Sequence, residues 1–209
     1  MAIAKRAAAG KKSAGKKTAG KKTAGKKVAA KKSPAGKSAA RKSTGRPSAL
    51  KKTTRGVRNA LTKLQADHDA VRKLFNRYER QKDDMSNNDK SEMVRIICGE
   101  LTVHAQIEEE IFYPALRNAA DDDLDEMLDE AEVEHTGAKD LIAQLQSGKP
   151  DDPLYDAKVT VLGEQVKHHA GEEERDMFRK ARRAGVDLVV LGEQLQTRAA
   201  ELKAELGLG

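Results

Sequence analysis

Cysteine is nearly absent from these 209 residues, and tryptophan is absent altogether. One cysteine, Cys98, cannot close an internal disulfide. That excludes a disulfide-stapled secreted domain and points to a reducing compartment. No run of about 18 apolar residues occurs, so no membrane-spanning helix is expected. The N-terminus carries basic residues with no apolar stretch behind them, so no secretory signal is expected either. The most informative absence is acid: residues 1–58 contain no Asp or Glu. They hold 15 Lys and 5 Arg, a charge of +20, while residues 59–209 hold the other 20 basic residues and all 33 acidic ones, a charge of −13. The net charge of +7 therefore averages a basic tail and an acidic body.

The tail is built from repeats. From Ala9 it reads AGKKS, AGKKT, AGKKT, AGKKV, with looser copies AAKKS at 29–33 and AARKS at 39–43. It has no aromatic residue and few apolar ones beyond alanine, too little to offset ordering entropy, so residues 1–58 are expected to be disordered alone. Five residues on a helix advance about 500°, roughly 140° past a full turn, so the lysine pairs would wind around the helix without forming one face. That argues against an amphipathic membrane helix and against an amphipathic transit peptide. A flexible polycation remains. Lys11, Lys12, Lys16, Lys17, Lys21, Lys22, Lys26, Lys27, Lys31 and Lys32 would meet phosphates as point charges. Without aromatic partners they cannot stack on bases, so nucleic-acid binding would be independent of sequence. A merely solvated charge run and attachment to an anionic membrane are the competing readings. The AGKK repeats resemble the Lys/Ala-rich tails of linker-histone-like proteins.

After residue 58 the apolar spacing is helical throughout. Leu61, Leu64, His68, Val71, Phe75 and Tyr78 fall on one face of a segment over about 57–82. Val94, Ile97, Leu101, His104, Glu108, Ile111 and Ala115 do so over 90–118, with Pro114 expected to kink the last turns. Leu124, Leu128, Ala131, His135, Ala138, Ile142 and Leu145 mark a third segment over 122–147, stopped by Ser147-Gly148-Lys149-Pro150. A fourth begins at Pro153 and runs to 183 through Tyr155, Val159, Leu162, Val166, His169, Glu173 and Met177. A fifth starts at Asp187, an expected N-cap, with Leu188, Leu191, Leu195 and Leu202. The fold expected is all-α: an up-down-up-down four-helix bundle over 59–183, a C-terminal packing helix over 184–209, and the tail in front.

Each of the four seams carries a histidine near its middle, and two add a glutamate four residues later. In an antiparallel bundle the midpoints share one layer, so His68, His104, Glu108, His135, His169 and Glu173 should converge in the core. A lone seam histidine is ordinarily a satisfied core residue. Six such groups together are different, because burying two carboxylates among four imidazoles costs several kcal/mol per ion unless a cation compensates. Imidazole and carboxylate are natural ligands of a dimetal centre, zinc and manganese included. His168 and Glu172 are also four apart but lie about 100° off the seam; with Glu109 and Glu174 they are expected in solvent or behind the ligands. Cys98 is expected to be packing.

These residues resemble the hemerythrin-like HHE cation-binding domain, on the ordered set His68, HAQIEEEIFYP (104–114), His135 and HAGEEERDMF (169–178). The resemblance implies a non-haem di-iron site, two irons per chain, with Glu108 and Glu173 bridging and the four histidines terminal. Oxygen-carrying hemerythrins use five histidines, two of them four apart on the third helix. Here Ala131 and Lys139 flank His135 at that spacing, a pattern closer to bacterial hemerythrin-like and iron-centre-repair proteins. The resemblance thus implies a module that binds or senses oxygen, nitric oxide or peroxide, and the charge of the tail adds the expectation that it is held on nucleic acid. The alternatives are a di-iron enzyme of peroxide removal or iron-centre repair, and an iron-sequestering protein that shields the nucleoid. The expected location is bacterial cytoplasm, with association to the nucleoid as a further reading.

Overall fold

The structure, a computed structural model, describes residues 59–119 and 122–208. The tail, with its expected disorder and its ten candidate lysines between Lys11 and Lys32, lies outside the described residues. Among those residues every regular element is helical. Helix α1 (Ala60–Gln81) starts where the Asn59 side chain accepts a hydrogen bond from Thr62 N–H, and it buries all six of its seam residues. Helix α2 (Asn87–Ile107) is capped in the same way by Ser86. It runs through one π-helical turn, Glu108–Phe112, into α3 (Tyr113–Arg117). Helix α4 spans Asp122–Ser147. Helix α5 (Tyr155–Glu172) passes through a second π-helical turn, Glu173–Met177, into α6 (Phe178–Ala181). Helix α7 (Leu188–Glu205) is capped by the Asp187 carboxylate, which accepts from Val189 and Val190 N–H.

The bundle is up-down-up-down: α1 packs on α2 and α5, and α4 packs on the same two helices from the other side. Helix α7 lies against α1 and α2. Its Leu191, Leu195, Ala199 and Leu202 join the apolar cluster of Leu64, Ile107, Phe112 and Leu128. A second apolar cluster, with Val71, Phe75, Ile97, Leu101, Ile142 and Leu162, fills the other part of the bundle. The polar layer sits between the two. Cys98 is fully buried in the second cluster, where burial pushes its thiol up to about 11, so it is a packing residue.

Three local readings are corrected. Beyond Glu108 the buried residues are Phe112, Tyr113 and Leu116, while Ile111 and Ala115 are half-buried. The cause is the π-helical turn, in which Tyr113 N–H donates to the Glu108 carbonyl five residues back. One extra residue in the turn rotates everything after it by about 100°. Pro114 does not interrupt a helix interior: it falls in the first turn of α3, where a missing N–H is tolerated. Helix α5 begins at Tyr155, two residues after Pro153, because the connection is a turn on Asp152. That turn's side chain accepts from Lys149 N–H at 2.7 Å, and its carbonyl accepts from Tyr155 N–H at 3.0 Å.

Candidate metal centre

All six expected residues come together, and all six are buried. The Nε2 atoms of His68 and His104 lie 2.9 Å apart, and those of His135 and His169 lie 3.1 Å apart. A carboxylate reaches across to both pairs: Glu108 Oε2 is 3.2 Å from His104 Nε2 and 3.5 Å from His135 Nε2. Glu173 Oε2 is 3.2 Å from His68 Nε2 and 3.6 Å from His169 Nε2. Two overlapping donor groups result: His68, His104, Glu108 and Glu173, and then Glu108, His135 and His169.

The outward nitrogens fix the chemistry of the inward ones. His68 Nδ1 is 2.8 Å from Glu174, His135 Nδ1 is 2.8 Å from Glu109, and His169 Nδ1 is 2.8 Å from Glu134. A carboxylate there accepts the ring N–H, which leaves each Nε2 as a bare lone pair. Asp67 faces His104 Nδ1 at the longer distance of 3.7 Å. The interior is thus a nest of acceptors, with lone pairs opposed at about hydrogen-bond distance. Both oxygens of Glu108 and one of Glu173 are buried without a hydrogen-bond partner. Only a proton or a cation makes such an arrangement favourable.

The ionisation pattern agrees. Burial, and then the charge of Glu173, pushes the Glu108 carboxyl well above the usual range. Burial would raise Glu173 also, but the imidazoles around it, His68 first, hold it below that range. Burial pushes His104 down to about 4, and burial with the neighbouring His169 lowers His135. His104 and His135 are therefore held neutral, the state a metal requires.

The two halves of the bundle repeat one another. His68 and His104 of the first helical hairpin correspond to His135 and His169 of the second, Glu108-Glu109 to Glu173-Glu174, and Asp67 to Glu134. Tyr113 stacks on His135 with centroids 5.6 Å apart, as Phe178 stacks on His68 at 6.1 Å. One oxygen breaks the match: Tyr113 Oη donates to Glu173 Oε1 at 3.0 Å. Burial, and then the two carboxylates, raises the Tyr113 phenol well above its ordinary value, so the proton stays. Tyr113→Phe is expected to cost about 1.5–3 kcal/mol in the metal-free protein, measured by chemical denaturation, with metal content unchanged.

Glu109 and Glu174 stand behind the histidines, as their off-seam position predicts. His168 and Glu172 lie on the exposed side of α5, where His168 is 65% exposed. Sequence reasoning missed Asp67, Glu134 and Tyr113. A signal for the first two was present, since an acidic residue immediately precedes His68 and His135. Tyr113 was hidden by the register change of the π-helical turn. A cavity of about 450 Å³ between α2, α4 and α5 is lined by all four buried imidazoles and, above them, by Leu101, Ala105, Ala138 and Ile142.

The model of the hemerythrin HHE cation binding domain matches residues 59–181. A curated protein from Nostoc sp. described as a DNA nickase is 29% identical over 142 residues, 68% of this chain. The match covers only 37% of that relative's length. The crystal structure of a hemerythrin HHE cation binding domain-containing protein from Mycobacterium kansasii superposes with a TM-score of 0.58. It is 24% identical, with 70% of this chain and 88% of that chain covered, a likeness that shows the fold. The domain match takes in more than half of the sequence and every residue of the acceptor nest, and the chain belongs to the hemerythrin HHE cation-binding domain family, a family of helical metal-binding domains.

Proposed function

We propose that the body is a non-haem di-iron module, with His68, His104, Glu108 and Glu173 holding one ion and His135, His169 and the same two carboxylates holding the other. The observation that carries this reading is the buried nest itself: four Nε2 atoms face two carboxylates, and both oxygens of Glu108 and one of Glu173 lack a hydrogen-bond partner. When bound, the metal pair supplies a binding place for oxygen, nitric oxide or peroxide and the electrons for their reduction. The chain's own part is to orient His68, His135 and His169 through Glu174, Glu109 and Glu134, and to keep a proton on Tyr113 Oη beside Glu173. Leu101, Ala105, Ala138 and Ile142 make part of the cavity wall beside these imidazoles apolar. Iron follows from the family, since zinc and manganese suit the same donors.

Metal analysis with an optical spectrum taken with and without oxygen tests this. Two irons per chain with an oxygen-sensitive band are expected, and His104→Ala with Glu108→Ala should abolish both. Full occupancy in that double variant would sink the assignment.

The tail extends the proposal to nucleic acid. Its 20 positive charges without an acid, and a relative described as a DNA nickase, support this. If about eight lysines meet phosphates, log K for any DNA should fall with log salt at a slope near −7. The intact protein should retard DNA at low salt, and residues 59–209 should not. Equal retardation by both would remove the tether and leave the metal centre untouched. Multiple turnovers of added peroxide would favour the enzymatic alternative over a binding or sensing role.

A further inference from the structure

Four carboxylates stand directly behind the buried histidines, and three of them are neutralised by a permanent cation. Glu109 accepts from Lys139 at 2.6 Å, Glu174 pairs with Arg72 at 2.7 Å, and Asp67 pairs with Lys63. Glu134 is the exception. One of its oxygens holds His169 Nδ1 at 2.8 Å, and the other faces His168 Nε2 at 3.9 Å, with no Lys or Arg paired to it among the described residues. His168 Nε2 is in turn 3.5 Å from Glu172 Oε1. Where its three counterparts have a fixed positive charge, Glu134 has an imidazole and a second carboxylate.

We propose that His168, Glu172 and Glu134 form a further divalent-cation site, through which metal ions are taken up on the way to the buried pair. The inference rests on the dimetal reading for the second half of that statement and stands without it for the first. The three donor atoms lie within 4.8 Å of one another. Ligands on a tetrahedral ion at about 2.0–2.1 Å stand roughly 3.3 Å apart, so only small side-chain movements close the site. His168 and Glu172 are 65% and 42% exposed, so water completes the coordination and an arriving ion sheds few of its own waters. Arg175 reaches Glu172 only at 3.8 Å, a contact that a dication readily displaces.

The position argues for passage as well as for binding. His168 and Glu134 line the same cavity of about 450 Å³ that is lined by His68, His104, His135 and His169. The carboxylate of Glu134 touches both stations, since one oxygen serves the outer imidazole and the other the inner one. An ion held outside would therefore stand one carboxylate away from the buried nest, at the edge of an opening that leads into it. The sequence over 168–173 carries the same arrangement twice, one residue out of step: His169 with Glu173 is buried, and His168 with Glu172 is exposed.

The test titrates the full-length, metal-free protein with Co²⁺ and follows its visible bands, with equilibrium dialysis of Zn²⁺ as the stoichiometric check. Two tight equivalents and a third, weaker one are expected. The variant His168→Ala with Glu172→Gln, both on the exposed face, should lose the third equivalent and keep the two tight ones. Its rate of Co²⁺ uptake should fall about tenfold at the same final content. Two equivalents only in the unaltered protein, a third that persists in the variant, or an unchanged uptake rate would overturn the proposal. Absence of any tight equivalent would instead overturn the dimetal reading, and the uptake role with it.

Discussion

Chelation of the bound metal is expected to lower the thermal midpoint of the protein by roughly 15–30 °C. Each ion that binds only the folded chain stabilises it by about 4 kcal/mol at a thousandfold excess over its dissociation constant, and the proposed centre holds two. For a body of about 150 residues each kcal/mol corresponds to roughly 2–4 °C. The size of the effect follows from where the ligands sit. They join all four bundle helices between two apolar clusters, so unfolding any helix releases the ions. Calorimetry before and after dialysis against a chelator measures it. A change of only a few degrees would mean that the six residues form a polar core layer that needs no ion.

Glu108→Gln should act with opposite signs in the two forms. With metal, the variant lacks one of the two carboxylate charges of the proposed centre and should lose most of the stabilisation just described. Without metal, it removes a buried carboxyl that has no hydrogen-bond partner and should make the protein more stable. The pH dependence identifies the cause. Burial and Glu173 raise the folded-state value of Glu108, so between the ordinary carboxyl range, about 4.3, and that raised value the native state keeps a proton that the unfolded chain releases. Stability of the metal-free parent therefore falls as pH rises through that window. His104, depressed to about 4, contributes the other way between about 4 and 6.5, but it is present in both proteins and cancels in the comparison. The advantage of the variant should be larger at pH 7.5 than at pH 5, as read from denaturant midpoints. An advantage independent of pH would assign the effect to packing.

The convergence of the six candidate ligands was legible in the sequence because their positions obey helical arithmetic. Threes and fours along each seam set His68, His104, His135 and His169 at matching depth, and the same count separated His169 from His168. Legibility failed where the helix stopped being an α-helix. A π-helical turn is a tertiary compromise that no residue type announces, and beyond it Ile111 and Ala115 yielded the core to Phe112, Tyr113 and Leu116. That one-residue change also concealed Tyr113. The carboxylates behind the histidines escaped for another reason. Glu134 on the acid-rich α4 and Asp67 on the mixed-charge α1 look like any other surface charge, and only the packing of neighbouring helices shows which of them meets a ring nitrogen. The corrected start of α5 was local, since the Asp152 turn satisfies the backbone that Pro153 was expected to lead into the helix.

The repeat between the two hairpins also dictates an order of events on the ribosome. The first hairpin emerges with His68, His104 and Glu108, but the carboxylate that faces His68 from across the bundle is Glu173, and the one that orients its outer nitrogen is Glu174. Both are made some hundred residues later than His68. Until then the early donors can hold an ion only loosely, in an orientation nothing enforces. Tight capture must therefore wait for synthesis to pass Glu174 and for the hairpins to close on each other, which makes metallation a late step that acts only on chains whose two halves have already met.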